Sequence, residues 1–186
     1  AKRFSVDGGD TAALGADPIK VKRDGSHTVA VTAVDKAGNR RSTTLDFVID
    51  TKAPVIELPA ATETVPTVTP NGDRIGEQVA IPFAVSEPGS VTGVVTSPDA
   101  TVVRTLSAPM AGGDNTLEWD GRTDAGKRAA DGRYLVTLTP RDLAGNAGKP
   151  ETIEIDVYAA LAALARSPKV FFPQDGDLLA RKSTAT

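Results

Sequence analysis

The sequence predicts an all-β protein built from tandem antiparallel β-sandwich modules, one of them complete and two partial. The first observation is a repeat, because the segment 131–146, DGRYLVTLTPRDLAGN, is nearly restated at 24–39 as DGSHTVAVTAVDKAGN. The second is the alternation of apolar and polar residues in many short runs. The third is the composition, since 17 Gly and 13 Pro with only 4% aromatic residues are typical of short strands joined by turns.

The repeated unit predicts a strand between two turns. Its Asp-Gly start turns the chain, and its Gly-Asn end reverses the chain. In the second copy Tyr134, Val136 and Leu138 share one face of the strand, and the residues between them point the other way. In the first copy His27 stands at the position of Tyr134. The unit is therefore interpreted as a strand with its turns, not as a catalytic motif.

Residues 1–58 are predicted to be the C-terminal part of one module. Strands are predicted at 3–6 and 19–22 with a Gly-Gly turn between them, and a last strand at 43–49 follows the repeated unit. About five short strands offer little area for two packed sheets, so we expect an N-terminal portion of this module to be missing.

Residues 59–158 are predicted to form the complete module, reached through a stiff junction rich in proline. Its predicted strands are 79–85, 91–96, 101–106, 116–119, the repeated unit and 153–157, with a loop at 110–114 and a turn-rich segment at 120–131. Pro82 lies inside the first of these strands and predicts an edge strand or a bulge. The number of short strands with regular turn signals predicts a two-sheet antiparallel sandwich.

Residues 159–186 are predicted to be a linker and the opening strand of a third module, because FFPQDGD at 171–177 is similar to TPNGD at 69–73. The run YAALAALAR at 158–166 is helix-like, and a continued strand is the alternative. We hypothesise that the tail from Pro168 onward lies against the incomplete sheet of another copy, or otherwise against the central module.

Two stretches resemble known families. Residues 69–146 resemble the Ig-like domain of the flagellar hook-capping protein family, and residues 4–58 resemble another bacterial Ig-like repeat. The matching residues of the first are Pro70-Asn71-Gly72-Asp73, Val103-Arg104-Thr105-Leu106, Trp119-Asp120-Gly121, Gly126, Asp131-Gly132-Arg133-Tyr134 and Asp142-Leu143-Ala144-Gly145-Asn146. Those of the second are FSVDGG at 4–9, the runs DGSHTV and DKAGN, and DTKAP at 50–54. The resemblance implies Ig-like sandwiches that act as spacers, stalks or adhesive arms in bacterial secreted or cell-surface proteins.

His27, the only histidine, is interpreted as an amphipathic ring at a packing position. A catalytic histidine would need an oriented nucleophile in a polar pocket. The sequence contains no P-loop, no GxGxxG run and no HExxH motif. The chain is therefore predicted not to be an enzyme.

Trp119 and Tyr134 are the candidate ligand-binding residues. Trp119 ends a predicted strand, where an indole ring is interpreted as a core residue. The alternative is a platform on which a sugar ring stacks beside Tyr134. Exposure of both rings would support a glycan site, and burial of both would exclude it.

No cofactor is predicted, and calcium is the alternative that the acidic turns leave open. Asp120, Asp124 and Asp131 lie among glycines and offer the oxygen ligands that Ca²⁺ prefers. The spacing lacks the DxDxDG rhythm and a terminal glutamate, and Asp and Gly are also ordinary turn residues. We therefore interpret these residues as turns. A second alternative is a cation shared by acidic residues of the junction, which are Asp50, Asp73 and Glu77.

The predicted function is that of non-enzymatic structural or spacer modules in a larger bacterial protein, secreted or on the cell surface. The predicted partners are other domains of the same parent chain, with a protein or glycan at the cell surface as a further candidate. A net charge of −3 gives no reason to expect nucleic acid, and no apolar run approaches the roughly 18 residues of a membrane span. The absence of cysteine excludes disulfides and thiolate metal sites, and fits both the cytosol and a bacterial surface. Two alternatives remain open, a glycan or surface-polymer binding module and a flagellar hook-capping or assembly component.

Overall fold

A computed structural model of the chain describes residues 1–60 and 65–158. The predictions for 159–186, namely the helix-like run, the third-module strand and the tail hypothesis, lie outside the described residues. The chain divides into two compact units, the first comprising Ala1–Ala53 with Leu143–Asn146 and the second comprising the rest. All regular elements of the described residues are β-strands, which confirms the predicted all-β class.

The first unit contains one antiparallel four-stranded sheet. Its strands are β1 (Lys2–Val6), β2 (Ala12–Ala13), β3 (Gly25–Val34) and β4 (Arg40–Ile49), in the order β2-β1-β3-β4. The repeated unit forms β3, as predicted. The turn after β1 is centred on Asp7 and Gly8, whose φ angles of 52° and 72° fit a tight hairpin turn.

The predicted strand at 19–22 is wrong. Ile19 and Val21 are partly buried, but this segment pairs with no strand of the described chain. The two alanines of β2 occupy the edge beside β1 instead. Alternation fixes which way side chains point, whereas a strand also needs a backbone partner.

The apolar side chains of the first sheet share one face with His27. The pairing register places Val29, Val31, Leu45 and Phe47 on that face, together with Phe4 and Val6 of β1. Within residues 1–53 the only buried side chain is that of His27. In the described part of the chain this unit is therefore a single layer, which agrees with the small area expected from its sequence.

The second unit is a sandwich of two sheets around one core. Its strands are β5 (Ile56–Glu57), β6 (Thr67–Val68), β7 (Val79–Val85), β8 (Gly89–Thr96), β9 (Val102–Met110), β10 (Gly113–Trp119), β11 (Gly132–Asp142) and β12 (Glu151–Val157). One sheet has the order β10-β7-β5 and the other the order β6-β12-β11-β8-β9. All pairs are antiparallel except β6 with β12.

The core of the second unit follows the predicted alternation. On β7 the residues Val79, Ile81, Phe83 and Val85 are all buried, and on β11 so are Tyr134, Val136 and Leu138. The residues between them face outward. The predicted two-sheet sandwich is therefore confirmed.

The connection between β9 and β10 is shorter than the loop predicted at 110–114. β9 pairs with β8 as far as Met110, opposite Gly89. The chain then crosses to the other sheet within two residues, and Gly113, with a φ of 94°, starts β10 on β7. A sheet change needs a sharp bend but no long loop, and glycine adopts that bend without strain.

Pro82 does not make β7 an edge strand, because β7 lies between β10 and β5. The pairing with β5 covers only Val85 and Ala84, however. Ser86 donates its backbone N–H to Val55, and N–H directions alternate along a strand, so the nitrogen of Pro82 also points to the β5 side. Proline is accommodated because β5 has ended before its missing N–H would be needed.

The boundary between the units falls earlier than position 58. The contact division lies between Ala53 and Pro54, since β5 pairs with β7 of the second unit. A strand of two residues carries too little pattern to be assigned to either module from sequence.

Candidate functional site

The two candidate ligand-binding rings lie inside the second unit. Trp119 is 0% exposed and Tyr134 is 3% exposed, and their ring centroids are 5.4 Å apart at an interplanar angle of 57°. The indole Nε1 donates to the carbonyl of Arg122 at 3.0 Å. The hypothesis of a sugar-stacking platform is therefore wrong, because neither ring offers a face to a ligand. Both rings are core residues whose polar atoms bind the adjacent loop.

Tyr134 also fixes the turn that precedes its strand. Its hydroxyl donates to the carbonyl of Ala130, four residues upstream, at 2.9 Å. Burial raises the pKa of Tyr134 above its usual value of 10.0, so the hydroxyl keeps its proton. A buried tyrosine that bonds a backbone carbonyl a few residues upstream is a known corner in β-sandwiches.

His27 makes the equivalent contact in the first unit. Its Nε2 lies 2.6 Å from the carbonyl oxygen of Arg23, which is again four residues upstream. The flanking glycines agree as well, with φ angles of 122° at Gly25 and 149° at Gly132. The repeat aligns His27 with Tyr134 in the sequence, but the shared hydrogen bond was not predicted. The alignment was the signal from which it could have been predicted.

The second ring nitrogen of His27 binds Asp7. Nδ1 lies 2.8 Å from Oδ2 of Asp7, whose Oδ1 accepts the backbone N–H of Thr28 at 2.9 Å. Both ring nitrogens therefore face oxygen acceptors, which only the imidazolium can satisfy by donating twice. The hydrogen bond that Nδ1–H of His27 donates to Asp7 raises the pKa of His27, and the same bond lowers the pKa of Asp7. His27 connects β3 to the turn after β1, which confirms a packing role.

We expect the His27–Asp7 pair to stabilise the first unit most strongly in mild acid. Because the folded pKa of His27 is raised, its contribution is complete below the usual value of 6.5 and is lost as pH rises through the folded pKa. Because the pKa of Asp7 is lowered, its contribution is complete above 3.8 and is lost as pH falls through the folded pKa. Thermal unfolding of the wild type and of His27→Phe should differ most between these two values.

The difference between the two melting temperatures should shrink as pH rises from 6 to 9. The single histidine makes the NMR titration of its ring unambiguous, and that titration gives the folded pKa directly. A difference that stays constant over this range would contradict the proposed charge pair.

The Asp-headed turn of the first repeat is held by its own carboxylate. Oδ1 of Asp35 accepts the backbone N–H groups of Ala37 and Asn39 at 2.8 and 2.9 Å, and Oδ2 accepts the side-chain amide of Asn39 at 2.8 Å. These bonds, chiefly that from the Asn39 side chain, lower the pKa of Asp35. Asp35 is therefore a turn residue.

The acidic segment 120–131 lies along the open edge of β9. Asp124 donates its backbone N–H to the carbonyl of Val103 at 2.9 Å, and its Oδ1 accepts the N–H of Thr105 at 3.3 Å. Arg104, between those two residues, donates to the carbonyl of Thr123 at 3.2 Å. Asp120 accepts the N–H of Arg122 at 3.1 Å. The carboxylates of Asp120 and Asp124 thus serve backbone groups of the same unit.

The acidic residues named at the junction also have local partners. Oε1 of Glu77 accepts the backbone N–H groups of Gly72 and Arg74. Oδ1 of Asp73 accepts the N–H of Ile75 at 2.8 Å, and Oδ1 of Asp50 accepts the N–H of Lys52 at 3.0 Å. Each carboxylate shapes the loop in which it stands.

We expect millimolar calcium to leave the thermal stability of the protein unchanged. A ligand raises the melting temperature only if it binds the native state preferentially, and the carboxylates of the 120–131 segment already accept backbone N–H groups. Calorimetry with calcium and then with a chelator measures the effect. Magnesium at equal ionic strength is the control. An upward shift with calcium that the chelator reverses would overturn the turn assignment.

Residues 1–60 and 65–158 contain no helix long and apolar enough to cross a membrane.

Comparison with protein families gives one match in each of the two units. Residues 9–51 match the family model of a bacterial Ig-like domain, and residues 71–142 match that of the FlgD Ig-like domain. Both family models describe Ig-like domains. The second match runs from the loop before β7 to the end of β11, and so includes Trp119, Asp124 and Tyr134. Among the residues through which the sequence resembles this family, Trp119 and Tyr134 form the core ring pair, and Val103 and Thr105 lie on the covered edge of β9.

Solved structures that are similar to this chain belong to several kinds of protein. FlgD from Xanthomonas campestris, a protein of hook capping in flagellar assembly, is 29% identical to this chain. The similarity covers 55% of this chain and 69% of that FlgD chain, with a TM-score of 0.42. The fibronectin(III)-like modules of CbhA from Clostridium thermocellum are 17% identical over 86% of this chain and 79% of their own, at 0.45. A tetra-tandem repeat from the extending region of a large adhesion protein is 22% identical over 85% of this chain but only 42% of its own, at 0.43. No curated protein sequence matches the chain.

Proposed function

We propose that the two Ig-like domains are non-enzymatic structural modules of a larger bacterial protein, secreted or on the cell surface, in which they position a partner domain. The observation that carries this proposal is that Trp119, Tyr134, Asp120 and Asp124 are used within their own unit. Trp119 and Tyr134 fill the core, and the carboxylates of Asp120 and Asp124 bind backbone N–H groups of their own unit. Side chains with such internal contacts stabilise the fold, and none of these four is positioned for catalysis. Other domains of the same parent chain are the proposed partners.

The pairing of the last strand of the second unit suits a module under tension. β12 pairs with β11 on one side and runs parallel to β6 on the other. Asp156 and Tyr158 donate their backbone N–H groups to Pro66 and Val68 at 2.9 and 3.1 Å. A pull on the chain ends loads these bonds together, because they lie across the strand direction.

A charged clamp adds to the hold on β12. Arg133 donates to both carboxylate oxygens of Asp156 at 2.9 and 3.1 Å, and to Glu154 at 3.0 Å. Two parallel N–H···O bonds to one carboxylate are among the strongest polar contacts in proteins. The contact ties β12 to β11, the central strand of its sheet.

Single-molecule stretching of the full chain tests the mechanical role. We expect the second unit to unfold in one cooperative step with a distinct force peak, and to refold after relaxation. Arg133→Ala should lower that force, whereas Arg128→Ala, an exposed change outside the strands, should not. Extension without a peak, as for a flexible linker, would refute the spacer role.

Adhesion is the second candidate within this proposal, since spacer and adhesive modules share this fold family. A glycan site built on Trp119 and Tyr134 is not proposed, because both rings are buried. The chain should therefore not bind arrays of bacterial and plant polysaccharides. Strong binding on such arrays would replace the spacer role by that of a binding module.

A further inference from the structure

Two strand edges in the second unit are protected against pairing with other strands. An open edge offers unpaired N–H and C=O groups to any passing strand, and natural sheets usually block it. The edge of β9 is covered by Asp124, which donates its backbone N–H to the carbonyl of Val103 and accepts the N–H of Thr105. The uncovered part of β7 carries Pro82, which cannot donate.

The outer edge of β4 in the first unit has no such protection. All ten of its residues pair with β3 in unbroken register, from Arg40 opposite Val34 to Ile49 opposite Gly25. On its other side β4 pairs with no strand among residues 1–60 and 65–158. β4 contains no proline and no bulge, and it exposes Leu45 and Val48 to 65% and 70%. A long, regular, partly apolar edge is suited to strand addition.

The hydrogen-bond pattern shows which residues of β4 serve the open edge. Asp35 donates its N–H to Asn39, and Val34 donates to Ala1, so odd-numbered residues of β3 face β4 and even-numbered ones face β1. Each pair across β3 and β4 joins two odd or two even residues. The backbone groups of Ser42, Thr44 and Asp46 therefore point away from β3, to the open edge.

The charges of β4 are complementary to those of a second β4 running antiparallel. Arg40 stands at one end and Asp46 stands six positions later, and both are exposed. If Thr43 lies opposite Thr43 of a second copy, Arg40 lies opposite Asp46 at both ends of the pair. This register also pairs even residues with even ones, as the hydrogen bonds require. If Leu45 instead lay opposite Leu45 of the second copy, Asp46 would stand diagonally across from Asp46 of that copy, where like charges repel.

We propose that β4 is a strand-addition surface for a second copy of this chain, paired antiparallel about Thr43. The contact joins two four-stranded sheets into one continuous sheet across the two copies. It would link neighbouring parent proteins side by side, which is a property beyond the spacer role.

Disulfide trapping tests the register, because the chain contains no cysteine. Thr43→Cys places two thiols opposite each other at a non-hydrogen-bonded pair, with Cα atoms about 4.5 Å apart, within reach of a disulfide. Leu45→Cys is the matched control on the same strand and face, and its two thiols would be separated by about 13 Å along the strands. Under mild oxidation Thr43→Cys should form a covalent dimer and Leu45→Cys should not. Equal cross-linking of the two variants, or none by Thr43→Cys, would overturn the proposal.

Exchanging the charges of Arg40 and Asp46 tests whether the partner is a second copy of this chain. Arg40→Glu and Asp46→Lys each place like charges opposite each other twice, so each should raise the dissociation constant of the dimer by about tenfold or more. An equal mixture of the two variants restores both opposite pairs and should regain the wild-type mass in sedimentation. Lys36→Glu, at the β3–β4 turn, is the control and should leave the dimer unchanged. A wild type that stays monomeric at millimolar concentration, or a mixture no heavier than its components, would overturn the proposal. Circular dichroism verifies that each variant is folded.

Discussion

Replacing Trp119 by alanine is expected to unfold the second unit or to leave it barely stable. The ring is fully buried, packs on Tyr134 and binds the carbonyl of Arg122, so its removal leaves a cavity and an unsatisfied acceptor. Truncation of a buried tryptophan costs about 3–5 kcal/mol, which is comparable to the whole stability of many domains. Thermal unfolding must be followed by circular dichroism, because Trp119 is the only tryptophan and the variant has no indole fluorescence.

The matched control for Trp119 is Leu135→Ala. Leu135 lies on β11 next to Tyr134 but is 42% exposed on the outer side of its sheet. Its truncation should change the unfolding free energy by about 0.5 kcal/mol or less. Similar losses in the two variants would show that the assignment of inner and outer faces is mistaken.

Gly89→Ala is expected to destabilise the second unit strongly for so small a substitution. A Cβ atom at this position would lie 2.1 Å from the carbonyl oxygen of Arg141 and 2.8 Å from the Cα atom of Asp142. Both atoms belong to the backbone of β11, which pairs with β8 at this point and cannot shift alone. Overpacking of this kind costs about 1–3 kcal/mol or more, and denaturant titration measures it.

Gly112→Ala is the control for that loss. The nearest atom to its added Cβ is 3.7 Å away, which is ordinary contact, and glycine is not required there for space. The alanine should be neutral or stabilise by about 0.4–1 kcal/mol through the unfolded chain. If Gly89→Ala were as mild as Gly112→Ala, the close approach of β8 and β11 at this end would be disproved.

The parts of the fold that the sequence predicted were those set by local pattern. The alternation along β7 and β11 fixed their inner faces, and the repeat located β3 and β11 with their turns. Ile19 and Val21 show the limit of this reasoning, because their alternation is real but their backbone has no partner strand among residues 1–60 and 65–158. Contacts between distant residues carried no local signal. The pairing of His27 with Asp7 and the cover of β9 by Asp124 both depend on the register of sheets, which no single stretch encodes.

The candidate site was predicted in part. The core position of Trp119 follows from its place at the end of an alternating strand, and the turn at the end of the first repeat follows from Gly38 and Asn39. The hydrogen bond from Tyr134 to Ala130 was beyond prediction, because it requires the ring to fold back over its own turn.

The two corner rings give the modules different chemical sensitivities within one architecture. The phenol of Tyr134 keeps its proton over the whole physiological range, whereas the imidazolium of His27, whose pKa is raised by its hydrogen bond to Asp7, loses its charge as pH rises through that pKa. Each ring is hydrogen-bonded to the carbonyl four residues upstream of it, Ala130 for Tyr134 and Arg23 for His27. Exchanging one ring for the other therefore alters how the stability of the module depends on pH without altering the strand. A chain assembled from such modules can therefore have one link that weakens when its surroundings turn alkaline and a neighbouring link that does not.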